Sequence, residues 1–202
     1  MKKPDDRYYV LIADLEGSRQ YSKTRRLEIQ ILLRDSIKVA NTIFQKELKC
    51  PLSFSGGDAV ECLSHDRKSL LECVQLLRGL MWRIPMRFAI GEGEWSVHMM
   101  ERKILCDVNQ QDGEVFWNTR NMLEDAKKHD LLINVHTTTN DEKKLINKIV
   151  KIGELPSYED VNKHLLKSLQ CRLNDLSSED LDQVICLLET FRWNNMNWKD
   201  DK

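Results

Sequence analysis

The sequence contains no apolar stretch that is long enough to cross a lipid bilayer. A membrane-spanning helix needs roughly 20 apolar residues, whereas the first apolar run, residues 8–13, is stopped by Asp14. That run is also too short for the core of a secretory signal peptide, and the residues before it are charged. We therefore expect a soluble protein without a membrane span or a signal peptide.

An excess of charge of one sign is missing as well. The chain has 31 Lys and Arg against 32 Asp and Glu, a formal net charge of −1. A surface that coats nucleic acid or anionic lipid needs a surplus of Lys and Arg. The C-terminal residues 176–202 are predominantly acidic, which disfavours DNA binding through that end. We predict neither a membrane nor a DNA partner.

The sequence has no C-x-x-C pair, so its cysteines do not have the spacing of a zinc site. They are scattered among apolar residues, which is typical of buried, reduced thiols. Reduced thiols indicate a cytoplasmic protein. The cysteines concerned are Cys50, Cys62, Cys73, Cys106, Cys171 and Cys186.

Strand-like and helix-like apolar patterns alternate over the first 137 residues. Strands are predicted at residues 8–13, 50–55, 59–63, from Met86 onward and at 131–137, and helices at about 24–48, after Asp66 and after Gly113. The resulting order is β-α-β-β-α-β-α-β, with a hairpin around Gly-Gly-Asp. This order predicts an α/β (α+β) fold with helices packed over a mixed sheet.

The last fifty residues have a different pattern. Ser157 and Ser177 are good helix N-caps, and each is followed by an amphipathic segment. We therefore predict a core domain at residues 1–150 and a helical C-terminal extension at residues 151–202. The extension would pack on the sheet or bind a partner.

Two aspartates are the strongest candidates for chemistry. Asp14 follows the first strand, and Asp58 lies at the tip of the hairpin, so neighbouring strands would bring both carboxylates to one edge. Two carboxylates suit Mg²⁺ or Mn²⁺, which takes its other ligands from water and substrate phosphates. The alternative is that both are ordinary turn or cap residues.

Glycines close to both aspartates could help to bind phosphate. Gly56 and Gly57 would allow a ligand to approach the hairpin backbone closely, and Gly17 and Ser18 could offer N–H groups at a helix start. Arg120 either reaches a phosphate or is an exposed helical arginine. Glu92 and Glu94 share a strand face and are either further ligands or exposed charges.

Four segments resemble class III nucleotidyl cyclases and GGDEF-type enzymes. They are Asp14-Leu15-Glu16-Gly17-Ser18, residues 54–60 (FSGGDAV), residues 86–94 (MRFAIGEGE) and residues 112–120 (DGEVFWNTR). In the same order, the segments are similar to the pattern of the bacterial SatD family. The resemblance implies a ferredoxin-like palm fold, an Asp14–Asp58 metal pair for a nucleoside triphosphate, and a possible homodimer.

The departures from the cyclase pattern concern the residues that select the base and stabilise the transition state. Phe54 stands where cyclases have a base-selecting Lys, and Ala59 stands where GGDEF signatures have a second acid. Trp117 and Asn121 occupy the positions of the catalytic Asn and Arg. The sequence therefore leaves two hypotheses. One is a nucleotidyl cyclase or small nucleotide polymerase, and the other is a catalytically degenerate SatD-like regulatory or protein-interaction module in stress or phage defence.

Overall fold

A computed structural model describes residues 7–96, 108, 111–136 and 139–196, apart from the side chains of residues 192, 193, 195 and 196. Within these residues the chain forms five strands and six α-helices. They are β1 (Tyr8–Leu15), α1 (Lys23–Ile43), β2 (Leu48–Phe54), β3 (Ala59–Ser64), α2 (Arg67–Leu80), β4 (Met86–Gly93), α3 (Glu114–Lys128), β5 (Ile133–Val135), α4 (Asn140–Ile152), α5 (Tyr158–Asn174) and α6 (Ser178–Met196).

The strands form one sheet in the order β2-β3-β1-β4-β5. Strand β1 is antiparallel to both of its neighbours, β3 and β4, and β2 is antiparallel to β3. The first four strands therefore have the ferredoxin-like order of a split βαβ arrangement. Strand β5 extends the sheet by pairing parallel to β4. The predicted α/β fold with a mixed, ferredoxin-like sheet is confirmed.

Strand β1 is central in the sheet and is covered on both faces. Leu11 and Ala13 belong to the large core cluster beneath α1 and α2, whereas Val10 and Ile12 belong to a second cluster that includes residues of α3. A strand buried on both faces has a continuous apolar run rather than an alternating one. By alternation, Asp14 lies on the α3 face of the sheet.

The helix caps follow local sequence signals. Asp66 accepts hydrogen bonds from the backbone N–H groups of Lys68 and Ser69, and Ser157 caps α5. The hydroxyl of Ser177 accepts a bond of 3.2 Å from the N–H of Asp180. Helix α4 is absent from the predicted elements, although Thr139 and Glu142 form a complete capping box at its start.

Helices α5 and α6 pack on the helices that cover the sheet. Leu165 and Phe191 lie in the same core cluster as Leu77 and Phe44. The Arg172 guanidinium joins α5 to the core through ion pairs with Glu47 (2.7 Å) and Glu72 (2.6 Å). Part of the helical extension therefore packs against the core, while its definition as a separate unit at residues 151–202 remains a prediction.

The cysteines differ from the predicted set of buried, reduced thiols. Cys62 and Cys73 are free and buried, but Cys171 and Cys186 are free and exposed. Cys50 is disulfide-bonded, and Cys106 lies outside the described residues. The prediction is wrong for three of them because sequence spacing does not reveal which cysteines approach each other, nor which helix face is solvated. Within the described chain, no helix is both long and apolar enough to cross a membrane.

We expect alkylation to separate the buried from the exposed thiols. Burial raises the pKa of the Cys73 thiol to about 12 and raises that of Cys62 well above its usual range. Both should resist iodoacetamide in the folded protein, while Cys171 and Cys186 react, as site-resolved mass spectrometry would measure. Because unfolded thiols ionise near pH 8.5, these two groups should lower the free energy of unfolding as the pH rises above about 8.5. Rapid native alkylation of Cys73 would contradict its position in the core.

Candidate functional site

The two predicted aspartates lie at the same edge of the sheet. Asp14 is the penultimate residue of β1 and lies directly opposite Ala59 of β3 and Arg87 of β4. Ala59 follows Asp58 in the chain, so the Asp58 backbone lies one residue beyond the partner of Asp14. Asp58 forms no ion pair with any of the described residues. Both carboxylates are half-buried, with Asp14 in β1 and Asp58 in the turn directly before β3.

The hairpin turn beside Asp58 depends on its glycines. Gly56 and Gly57 have φ values of 102° and 72°, which residues with a side chain rarely adopt. The turn is closed by a 2.9 Å hydrogen bond from the N–H of Ser55 to the carbonyl of Ala59. A Cβ built on either glycine would meet no described atom within 4 Å. The surface over the turn is therefore open to a ligand.

Gly17 and Ser18 do not lie at the start of a long helix. Gly17 is left-handed, with φ 63°, and precedes a single 3-10 turn at Ser18–Gln20. Helix α1 begins later, where the Ser22 hydroxyl accepts a bond from the N–H of Arg25. The two residues therefore begin a short 3-10 turn rather than α1, and their part in phosphate binding remains a prediction.

A third carboxylate, Glu61, lies on the same sheet face as Asp14. Glu61 is directly opposite Ile12 in the β1–β3 ladder, and Asp14 is opposite Ala59. Asp14 and Glu61 are therefore diagonal neighbours, a relation that typically spans about 7–8 Å. Glu61 is only 4 % exposed, and its Oε2 atom has no hydrogen-bond partner among the described residues. A buried carboxylate oxygen without such a bond is costly.

Helix α3 places one cation against each of these two carboxylates. Lys127 Nζ lies 3.0 Å from Asp14 Oδ2, and Arg120 Nη2 lies 3.7 Å from Glu61 Oε2. The two cations are seven residues apart, which is close to two helical turns, so they share a helix face. Burial opposes the charge of Lys127, but its hydrogen bonds to Asp14 and Glu124 outweigh that effect and raise the pKa of the ammonium group.

The alternative ligands considered in the sequence lie away from this edge. Glu92 pairs with Tyr9 at the far end of β1 and forms ion pairs with Arg7 and Arg67. Asn118 donates a 2.9 Å hydrogen bond to the Glu92 carbonyl. Trp117 is 65 % exposed on the same helix. Glu92 is therefore engaged in ion pairs, and Asn118 in a hydrogen bond to its backbone, at the end of β1 away from Asp14.

The donor set at the edge fits a divalent cation only in part. Within the described residues there is no cluster of three or more His, Cys, Asp or Glu side chains arranged to hold a metal. Mg²⁺ commonly takes one or two carboxylates and completes its shell with water and phosphate oxygens. Asp14 and Asp58 could supply those carboxylates, with a bound polyphosphate supplying the rest. The surrounding cations, Arg120 and Lys127, suit the polyphosphate.

Sequence reasoning missed Glu61 and Lys127. Both carry a periodic signal, since Glu61 lies two residues after Ala59 on a strand and Lys127 lies seven after Arg120 on a helix. That signal places each pair on one face. It does not show that the faces meet, because the contact between α3 and β1 is made across more than 100 residues.

Comparisons with solved structures find a likeness in fold. No protein-family model matches the sequence, and no curated protein matches it either. The active GGEEF domain of a diguanylate cyclase from Vibrio cholerae is similar, with a TM-score of 0.41 and 11 % identity over 65 % of this chain and 85 % of that domain. At this TM-score the likeness assigns no family, and the resemblance to SatD proteins remains a prediction.

Proposed function

We propose that this protein binds a nucleoside triphosphate together with Mg²⁺ or Mn²⁺ at the edge of the sheet where β1 meets the β2–β3 hairpin. The observation that carries the proposal is the convergence of carboxylates and cations there. Asp14 is bound to Lys127 at 3.0 Å, and Asp58 lies beside it with no ion pair among the described residues. A metal–polyphosphate complex carries both signs of charge and matches this arrangement.

In this proposal each side chain has a distinct part in binding. Asp14 and Asp58 hold the cation, while Lys127 and Arg120 bind phosphate oxygens. The open turn at Gly56 and Gly57 admits the phosphates next to its backbone. The metal, when bound, neutralises phosphate charge and aligns the phosphates. Lys127 already pairs with Asp14, so it neutralises the carboxylate when no ligand is bound.

Two candidate functions follow from such a site. The first is an enzyme, a nucleotidyl cyclase or small nucleotide polymerase. The second is a catalytically degenerate, SatD-like regulatory or protein-interaction module. Asn118 lies one residue after Trp117, the position where the resemblance places the catalytic Asn of cyclases. Its amide donates a hydrogen bond to the Glu92 carbonyl, which favours the second candidate because the amide is engaged within the protein. Phe54 also packs against the core and offers no charge to a base. A homodimer or a protein partner of the C-terminal helices belongs to the same proposal.

The decisive experiment is calorimetric titration of the protein with the four nucleoside triphosphates in the presence of Mn²⁺. Asp14→Asn and Asp58→Asn should each weaken binding by at least about tenfold, the effect of removing one charge-assisted contact. The exposed Asp141 provides the matched control, and Asp141→Asn should bind like the parent. At a hundredfold excess over its dissociation constant, the nucleotide should stabilise the parent by about 2.7 kcal/mol.

Two results would reject the proposed site. One is a parent protein that binds no nucleotide at millimolar concentration. The other is equal affinity in the parent, Asp14→Asn and Asp58→Asn. Chromatography of the same mixtures distinguishes the two candidates: a metal-dependent cyclic or oligomeric product indicates the enzyme, whereas binding without product indicates the degenerate module.

A further inference from the structure

A cavity of about 300 Å³ lies beneath the sheet edge, between the end of α2 and the start of β4. None of its lining residues is among those proposed to bind the nucleotide and its metal. Three of them are arginines and two are acids, so one guanidinium is in excess. The apolar part of the lining comes from the α2–β4 connection, the first residue of β4 and Leu132, which directly precedes β5. The charged members are Arg78, Arg83, Arg87, Glu16 and Asp130.

The guanidinium of Arg87 already has ion-pair partners in the protein. It forms ion pairs with both acids of the cavity, Glu16 and Asp130, and donates a 2.9 Å bond to the carbonyl of Ala126. The two carboxylates of the cavity are therefore occupied by one arginine. They leave no ion-pair partner in the cavity wall for Arg78.

Arg78 has no carboxylate partner in the cavity wall. Its Nη1 donates a 2.8 Å bond to the Trp82 carbonyl, and its Nε is buried without a hydrogen-bond partner among the described residues. Among those residues no carboxylate lies within ion-pair distance. Burial lowers the pKa of this guanidinium, with Glu16 acting weakly in the opposite direction, but arginine stays charged at neutral pH. A half-buried charge without a counter-ion is destabilising.

The backbone around Arg78 is shaped to keep the guanidinium in place. Gly153, the residue that ends α4, lies against it, and a Cβ at Gly153 would collide with the Arg78 guanidinium. The side chain is therefore held between the end of α4 and the Trp82 carbonyl. A guanidinium has five N–H donors in one plane, and such a fork matches phosphate oxygens.

We propose that this cavity is a binding site for a phosphate-type oxyanion, either free phosphate or the phosphate of a small phosphomonoester, with Arg78 as its principal ligand. Arg83 adds positive charge from the same wall. The volume exceeds that of a phosphate ion and reaches the lower end of the range for small-molecule sites. Unlike the proposed nucleotide site, the cavity offers no unpaired carboxylate and binds its anion without a divalent cation.

The test is calorimetric titration with inorganic phosphate and with ribose 5-phosphate, in EDTA at low ionic strength. Arg78→Met should weaken binding at least about tenfold, as expected for the loss of a charged hydrogen-bond donor. Arg34, exposed on α1 and paired with Asp35, provides the matched control for one lost charge, and Arg34→Met should bind within about twofold of the parent. Tighter binding of ribose 5-phosphate identifies a phosphomonoester, and equal or weaker binding identifies free phosphate.

Thermal unfolding separates a binding role from a structural one. If Arg78 serves a ligand, Arg78→Met should unfold at the same temperature as the parent or higher without phosphate, and only the parent should be stabilised by phosphate. Three results would overturn the proposal: no saturable binding of either anion by the parent, full affinity in Arg78→Met, or loss of binding in Arg120→Met with Arg78→Met unaffected. The last result would show that the anion binds at the proposed nucleotide site instead.

Discussion

Replacing Arg67 by methionine is expected to lower the free energy of unfolding by about 3–5 kcal/mol, the typical cost of breaking one side of a buried ion pair. Arg67 holds Glu142 with two hydrogen bonds, of 2.7 Å from Nε and 3.2 Å from Nη2. The two side chains are only 12 % and 9 % exposed. Without Arg67, the Glu142 carboxylate would remain buried at the start of α4. Denaturation with urea would measure the loss.

A nearby exposed pair provides the control. Lys144 pairs with Asp141 at 3.1 Å on the same helix, with both side chains more than 70 % exposed. Lys144→Met should change stability by less than about 0.5 kcal/mol. The double variant Arg67→Met/Glu142→Leu should recover part of the loss, because it leaves no unpaired charge. A cost below about 1 kcal/mol for Arg67→Met would show that α4 is not held against α2 in this way.

Replacing Gly91 by alanine is expected to lower the free energy of unfolding by about 2–3 kcal/mol and to weaken nucleotide binding with it. A Cβ at Gly91 would lie 2.8 Å from the backbone N and Cα atoms of Thr119 in α3. Backbone atoms cannot rotate away, so α3 must shift outward, as in other overpacked cores. That shift would move Arg120 and Lys127 away from Glu61 and Asp14.

Urea denaturation and nucleotide titration of the same variant would measure both effects. Gly93 provides a second test, since a Cβ there would lie 2.8 Å from the backbone N of Val115, and Gly93→Ala should be destabilised similarly. Truncating the Thr119 side chain in Gly91→Ala/Thr119→Ala should rescue little, because the closest fixed contacts are with backbone. A Gly91→Ala variant as stable as the parent would contradict the close packing of α3 on β4.

The order of the first eight elements could be predicted from local patterns. The apolar run of β1 and the helical spacing of α1 and α3 are properties of short segments, so they need no knowledge of contacts. The predicted ends of the helices and strands were less accurate. Helix α1 stops at Ile43 rather than near residue 48, because Phe44 closes the helix with a bond to the Ala40 carbonyl and is itself fully buried. Helix α4 was missed although its capping box is local.

The placement of the two aspartates at one edge also followed from local patterns. A strand, a helix and a hairpin in succession favour pairing of β1 with β3, and that pairing brings Asp58 beside the partner of Asp14. The sequence offered no comparable reason to include Glu61 or Lys127. Their relevance depends on α3, which returns to the sheet from a distant part of the chain.

The sequence by itself determined the apolar periodicity of the helices and strands, the helix caps and the turns of this protein, because those arise from neighbouring residues. The hairpin at Gly56 and Gly57 is of this kind, since only glycine readily adopts its positive φ values. The tertiary structure alone decided the charge pairs, such as Asp14 with Lys127, and left Arg78 facing a cavity whose two carboxylates are paired with Arg87. These relations join residues that are far apart in the chain, and the close packing of α3 on β4 at Gly91 helps to bring Lys127 to Asp14.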